Sequence, residues 1–146
     1  MRGSFGTILL VAVLSNPASA GQGQASFTVG ATVPVRVSLE IVEQPEFTLT
    51  DEDVARGYKD VSAQYVVRNN DRNGYLLEFA PRGDIAQRVE IRGLGAEVVM
   101  RRAIVDVHQP GDTFRQDLSL QFHCVLDASS RPGTFELPVG VAATPL

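Results

Sequence analysis

The chain has 146 residues, 13 basic and 17 acidic side chains, a net charge of −4 with both histidines neutral, and one cysteine. Acidic and basic residues alternate along it with acid in excess, which gives nucleic acid no basic surface to bind, and a single cysteine excludes an internal disulfide. A chain of this length is expected to form one domain whose stability comes from burial and strand pairing.

Arg2, the apolar run Ile8–Leu14 and the ending Asn16-Pro17-Ala18-Ser19-Ala20 read as a secretory signal peptide over residues 1–20, cut after Ala20. The run falls well short of the ~20 residues that span a bilayer, so no membrane span is expected after cleavage. No cysteine follows the cut and no Arg-Arg pair precedes the run, which points to general secretion of residues 21–146 as a single domain. Loss of Arg2 leaves 12 basic and 17 acidic residues, a net charge of −5.

Residues 26–41 alternate strictly. Phe27, Val29, Ala31, Val33, Val35, Val37, Leu39 and Ile41 are apolar, and Thr28, Gly30, Thr32, Pro34, Arg36, Ser38 and Glu40 stand between them. Period-two alternation is the mark of a strand with one buried face. Strands usually run about 5–6 residues, so a segment this long either serves two sheets in turn or reaches beyond its own domain to pair with a neighbour. Folding back as two strands, joined at Gly30 or Pro34, is the other arrangement consistent with the pattern.

Pro45 breaks the chain before a short strand at 46–49. Thr50 then caps a single helical turn with Asp51, Glu52 and Asp53 in its first positions and Gly57 as its stop. Val61, Ala63, Tyr65 and Val67 alternate with polar neighbours, and the polar run Asn69–Gly74 ends in Asn-Gly before Tyr75, Leu77 and Phe79, which predicts a hairpin. Pro81-Arg82-Gly83-Asp84 makes a turn into a strand through Val89 and Ile91. Residues 96–107 read as one strand with a bulge near Arg101-Arg102, where the apolar register slips. Residues 114–126 form the next strand, and a last one carries Phe135, Leu137, Val139, Val141 and Ala143. Seven or eight short antiparallel strands with at most one helical turn describe an all-β sandwich.

Convergent chemistry is sparse, so no enzymatic activity and no cofactor are expected. His123 and Cys124 are neighbours on a strand and face opposite sides, so they cannot act as base and nucleophile. Cys124 shares its register with Leu118, Leu120, Phe122 and Leu126, as a buried inert thiol would. His108 has no partner at a metal-ligand spacing, and the acids 51–53 lack the alternating Asp-x-Asp-x-Asp-Gly pattern of a calcium loop, so no metal is expected. Arg82-Gly83-Asp84 spells an adhesion tripeptide, but turns favour Gly and Asp for backbone reasons alone.

The leader, the segment ASFTVGATVPVRVSLEI (25–41), FTLTDEDVARGY (47–58), RNNDRNGYLLEF (68–79) and RPGTFELPVGVAATPL (131–146) together resemble small exported subunits of bacterial chaperone–usher pili, the archaic branch related to spore coat protein U. The resemblance implies an immunoglobulin-like sandwich whose N-terminal extension completes the fold of the next subunit. It also implies passage through the periplasm to an extracellular fimbrium, with like pilus subunits, a periplasmic chaperone and an outer-membrane usher as partners. The donor side chains would be Phe27, Val29, Ala31, Val33 and Val35, and full burial of each large one is worth roughly 1.5–3 kcal/mol. The chain departs from many such pilins in lacking a cysteine pair, and Ala31 is its smallest in-register donor residue. Both departures leave a polymerising subunit and an accessory protein as alternatives. The competing reading from a different class is a self-contained secreted binding module with ligand contacts in its loops.

Overall fold

The computed structural model describes residues 28–43 and 45–146. The expected signal peptide and Phe27 lie outside the described residues. Thr28–Thr32 belong to a separate unit and form no strand or helix, so the fold is that of Val33–Leu146.

This unit is all-β and sandwich-like. Its strands are β1 (Val37–Glu43), β2 (Phe47–Leu49), β3 (Tyr58–Asn69), β4 (Tyr75–Pro81), β5 (Ala86–Arg92), β6 (Val98–Met100), β7 (Val105–Gln109), β8 (Arg115–Leu126), β9 (Gly133–Phe135) and β10 (Val139–Pro145), with helix α1 (Asp51–Arg56) between β2 and β3. Ten strands replace the expected seven or eight because three of them, β2, β6 and β9, are only three residues long. Every pairing is antiparallel. A five-stranded sheet has the order β1-β3-β8-β5-β6, a three-stranded sheet the order β10-β4-β7, and β2 pairs with β9.

Alternation decides which side chains fill the core. Ala63, Tyr65 and Val67 from β3, Leu118, Leu120, Phe122 and Cys124 from β8, and Val89 and Ile91 from β5 point inward from the large sheet. Tyr75, Leu77 and Phe79 of β4 belong to the same buried cluster, which Phe47, Leu49, Leu137 and Val139 extend. Buried Tyr75 satisfies its hydroxyl by donating to Gln116 Oε1 at 2.7 Å.

Three expectations about connectivity are corrected. The Asn-Gly turn at 69–74 does not join a hairpin, because β3 is already flanked by β1 and β8 and offers β4 no free edge. The loop instead carries the chain to the other sheet. Gly74, at φ 103, has to be glycine because a Cβ there would stand 2.2 Å from the Gln109 carbonyl oxygen. The register slip at Arg101-Arg102 is not a bulge either. It marks the passage from β6, paired with β5, to β7, paired with β4. The last strand is likewise two, since β9 pairs with β2 and β10 with β4, and Pro138 between them has no N–H for a ladder.

Helix α1 has six residues, somewhat more than the single turn expected, and it carries a complete capping box. Thr50 Oγ1 accepts from Asp53 N–H at 3.2 Å, and Asp53 Oδ2 accepts from Thr50 N–H at 3.1 Å. Gly57, at φ 79, closes the helix in the left-handed conformation and donates its N–H to the Asp53 and Val54 carbonyls. Asp53 is buried and also accepts from Lys59 Nζ at 2.8 Å and from Arg56. The Lys59 ammonium, followed by the Thr50 backbone N–H, holds its carboxyl well below the ordinary carboxylate range.

A carboxyl whose pKa is depressed by folding contributes stability above its unfolded value of about 4, and that contribution is lost as pH falls through that value toward the folded one. Urea midpoints are therefore expected to drop steeply below about pH 4, and Asp53→Asn is expected to be less stable at pH 7 but to lose less stability on acidification. Equal acid slopes for the two proteins would remove Asp53 as the responsible group.

Candidate functional site

The alternating segment does not continue as a strand before β1. Val29, Val33 and Val35 are 89%, 74% and 51% exposed, Ala31 is exposed too, and none of the four is in a strand. Phe27, the fifth predicted donor residue, is outside the described residues. On β1 itself, Val37 and Leu39 are half-buried against the core while Ile41 is exposed. Val33 and Val35 of the domain, and Val29 and Ala31 of the preceding unit, have no strand partner among the described residues.

Asn70 fixes the base of this row. Its Oδ1 accepts from the Arg36 N–H at 2.6 Å, its Nδ2 donates to the Pro34 carbonyl at 2.9 Å, and its own N–H donates to the Arg36 carbonyl at 3.2 Å. The side-chain amide supplies one acceptor and one donor, as a ladder residue would, just where Pro34 has no N–H to give. β1 pairing begins immediately afterwards with Val37 opposite Asn69. In the sequence Asn70 sat inside a polar run whose only evident meaning was a turn.

Two of the domain's edge strands adjoin. Among the described residues β1 pairs only with β3, and β10 only with β4. β1 and β10 lie beside each other, yet no ladder joins them among the described residues. Among the described residues no further strand hydrogen-bonds along either edge. Val37, Leu39, Val141 and Ala143 along these edges are only partly buried, so apolar surface accompanies both edges.

Other polar groups are placed as follows. His123 Nδ1 lies 2.6 Å from Asp60 Oδ1, and its ring stands 4.8 Å from that of Tyr58. Cys124 points to the opposite face of β8, fully buried, with its thiol pushed up to about 12 by burial and then by the charge of Asp60. His108 is exposed at the end of β7, with Nε2 3.2 Å from the Asn73 carbonyl oxygen. Among the described residues no group of three or more His, Cys, Asp or Glu side chains could hold a metal, and no helix is long and apolar enough to cross a membrane. The turn containing Arg82-Gly83-Asp84 forms one wall of a cavity of about 440 Å³, whose other wall contains Arg131, Phe135 and Glu136.

Comparison with known proteins finds no matching family model, no matching curated protein and no matching solved structure.

Two measurements check this geometry. Trypsin is expected to cut after exposed Arg36 faster in Asn70→Ala than in the parent, with a loss of about 1 kcal/mol in unfolding free energy, the usual worth of such hydrogen bonds; unchanged cleavage would show that the amide does not hold the segment. Cys124 is expected to resist a thiol-selective reagent at pH 8 until denaturant unfolds the domain, and rapid labelling of the folded protein would contradict its burial.

Proposed function

We propose that this chain is a secreted structural or accessory subunit of a chaperone–usher type fimbrial assembly, working by β-strand complementation between subunits. The observation that carries the reading is that one chain has both an exposed apolar row, Val29, Ala31, Val33 and Val35, and edge strands β1 and β10, with no further strand partner for either among the described residues. A subunit that offers a strand and also has edges that accept one can form linear, head-to-tail assemblies, because the two surfaces differ. Burying three valines and an alanine in a neighbour contributes roughly 1.5–3 kcal/mol for each valine, and ladder bonds add to this. In this reading like subunits are the main partners, a periplasmic chaperone covers the open edges before assembly, and an outer-membrane usher receives the subunit. The reading involves no catalysis, no cofactor and no nucleic acid.

A self-contained secreted binding module is the second reading, and one observation favours it: the cavity formed by the turns at 82–85 and 129–131. The two readings differ in what they require of residues 29–35, which a binding module does not need.

Val33→Asp and Thr32→Asp separate them. Val33 is exposed in the chain by itself, so either aspartate is expected to leave the unfolding free energy of the monomer within about 0.5 kcal/mol of the parent. In an assembly the two differ, because Val33→Asp places an unpaired charge on the buried face of the inserted strand at a cost of several kcal/mol, whereas Thr32→Asp faces the other way. Co-expression with a chaperone and usher, read by electron microscopy and by depolymerisation-resistant bands on gels, is expected to show assembly for the parent and Thr32→Asp and none for Val33→Asp. Assembly by all three would remove the donor-strand role of this segment.

A further inference from the structure

The cavity at the end of the sandwich has the size of a small-ligand site, about 440 Å³. Its walls are tied together. Ile85 C=O accepts from Ser130 Oγ and from Asp127 N–H, each at 2.9 Å, and the Asp127 carboxylate accepts from the Ser129 N–H at 3.0 Å and hydroxyl at 2.8 Å. The turn after β4 and the turn after β8 are thereby held at a fixed separation, so a ligand would meet a formed site.

Charge lines this cavity without being used up in it. Among the described residues, Arg82, Arg131, Asp84 and Glu136 have no ion-pair partner within 4.0 Å, as is also true of Arg36, Arg72 and Arg101 elsewhere, whereas Arg56, Arg68, Arg88, Arg92, Arg102 and Arg115 each have at least one. Arg82 is also positioned. Its guanidinium lies across Gly140, where a Cβ would come within 2.7 Å of Nε, and the Arg82 backbone N–H donates to the Pro138 carbonyl at 2.9 Å. Gly140 thus makes the space that this guanidinium occupies. Phe135 adds a large aromatic ring that is 41% exposed.

Two guanidiniums against two carboxylates cancel. An anion would be drawn to Arg82 and Arg131 and repelled by Asp84 and Glu136, and a cation would meet the reverse. A hydroxyl both donates and accepts, so a ligand with several hydroxyls can satisfy donors and acceptors at once. Charged partners make these the stronger class of hydrogen bond. Phe135 and Ile85 supply the apolar surface on which the C–H face of a sugar ring would rest. We propose that this cavity binds an uncharged saccharide residue, with Arg82, Arg131, Asp84 and Glu136 engaging its hydroxyls and Phe135 covering one face of the ring. This site does not depend on the fimbrial reading and would serve either a subunit or a binding module.

The test is titration of the ¹⁵N-labelled protein with the methyl glycosides of glucose, galactose and N-acetylglucosamine, alongside glucuronate and glucosamine as charged comparators. At least one neutral glycoside is expected to give saturable amide shifts confined to residues 82–85, 129–131 and 134–136, with millimolar affinity. Arg131→Gln, at an exposed turn position, is expected to keep the parent spectrum elsewhere and to weaken binding at least about tenfold. Gly140→Ala, which changes no lining residue but displaces the Arg82 side chain, is expected to weaken it as well. Absence of saturable shifts with all three glycosides, affinity unchanged from the parent in either variant, or tighter binding of glucuronate or glucosamine than of every neutral glycoside would overturn the proposal.

Discussion

β3 and β8, twelve residues each, are hydrogen-bonded from Tyr58 opposite Val125 to Arg68 opposite Arg115, and everything else in the domain is arranged around that ladder. Both are interior strands of their sheet, with β1 along Gln64–Asn69 of β3 and β5 along Gln121–Leu126 of β8, and each must be apolar on the face that meets the second sheet. That one constraint forces the chain to leave the sheet after Asn69 instead of turning back on itself. It pushes β1 and β6 to the edges and leaves β4 to build a second layer with β7 and β10. The cost of the arrangement is two edges, β1 and β10, that meet without pairing. A lone sheet edge is usually protected by charge or by brevity. β1 carries Glu40, engaged with Arg68 at 2.8 Å, and Glu43, but β10 bears no charged residue at all.

The core was readable in the sequence because burial of one strand face leaves a local, period-two trace. Val61, Ala63, Tyr65 and Val67 could be assigned to it from spacing alone, as could Leu118 to Leu126. The capping box at Thr50 and Asp53 was equally local, since both partners lie within one turn. What the sequence did not reveal were the partners across the fold. Asn-Gly at the end of a polar run signals a tight reversal whether or not the preceding strand has a free edge, and only the positions of β1 and β8 decide that it has none. The slip at Arg101-Arg102 illustrates the same blindness, because a bulge and a change of sheet produce the same one-residue displacement of the apolar register.

Asn70 shows how a polar residue acquires a role that composition cannot predict. Its amide matters because Pro34, thirty-six positions away, lacks a donor and because Arg36 begins the approach to β1. The cavity residues were divided in the same way. Arg82 and Asp84 attracted notice as part of a tripeptide, but Arg131, Phe135 and Glu136 stood in an apparently ordinary turn and strand. Their convergence follows from β9 pairing with β2 and from Ser130 binding the Ile85 carbonyl, neither of which leaves a periodic trace.

The clamp and the cavity occupy opposite ends of β8. Asn69 donates to the Phe114 carbonyl immediately before β8 begins, next to Asn70, while Asp127 and Ser130 follow immediately after it ends. Twelve residues at about 3.3 Å each put roughly 35 Å of strand between them. Substitutions that far apart with no shared partner are expected to add independently. The Asn70 contacts and the turns at 82–85 and 129–131 can therefore vary separately. Gly140, on edge strand β10, makes room for the Arg82 guanidinium. A Cβ at this position would come within 2.7 Å of Nε, so a substitution here moves the guanidinium while leaving the Asn70 contacts with Pro34 and Arg36 in place.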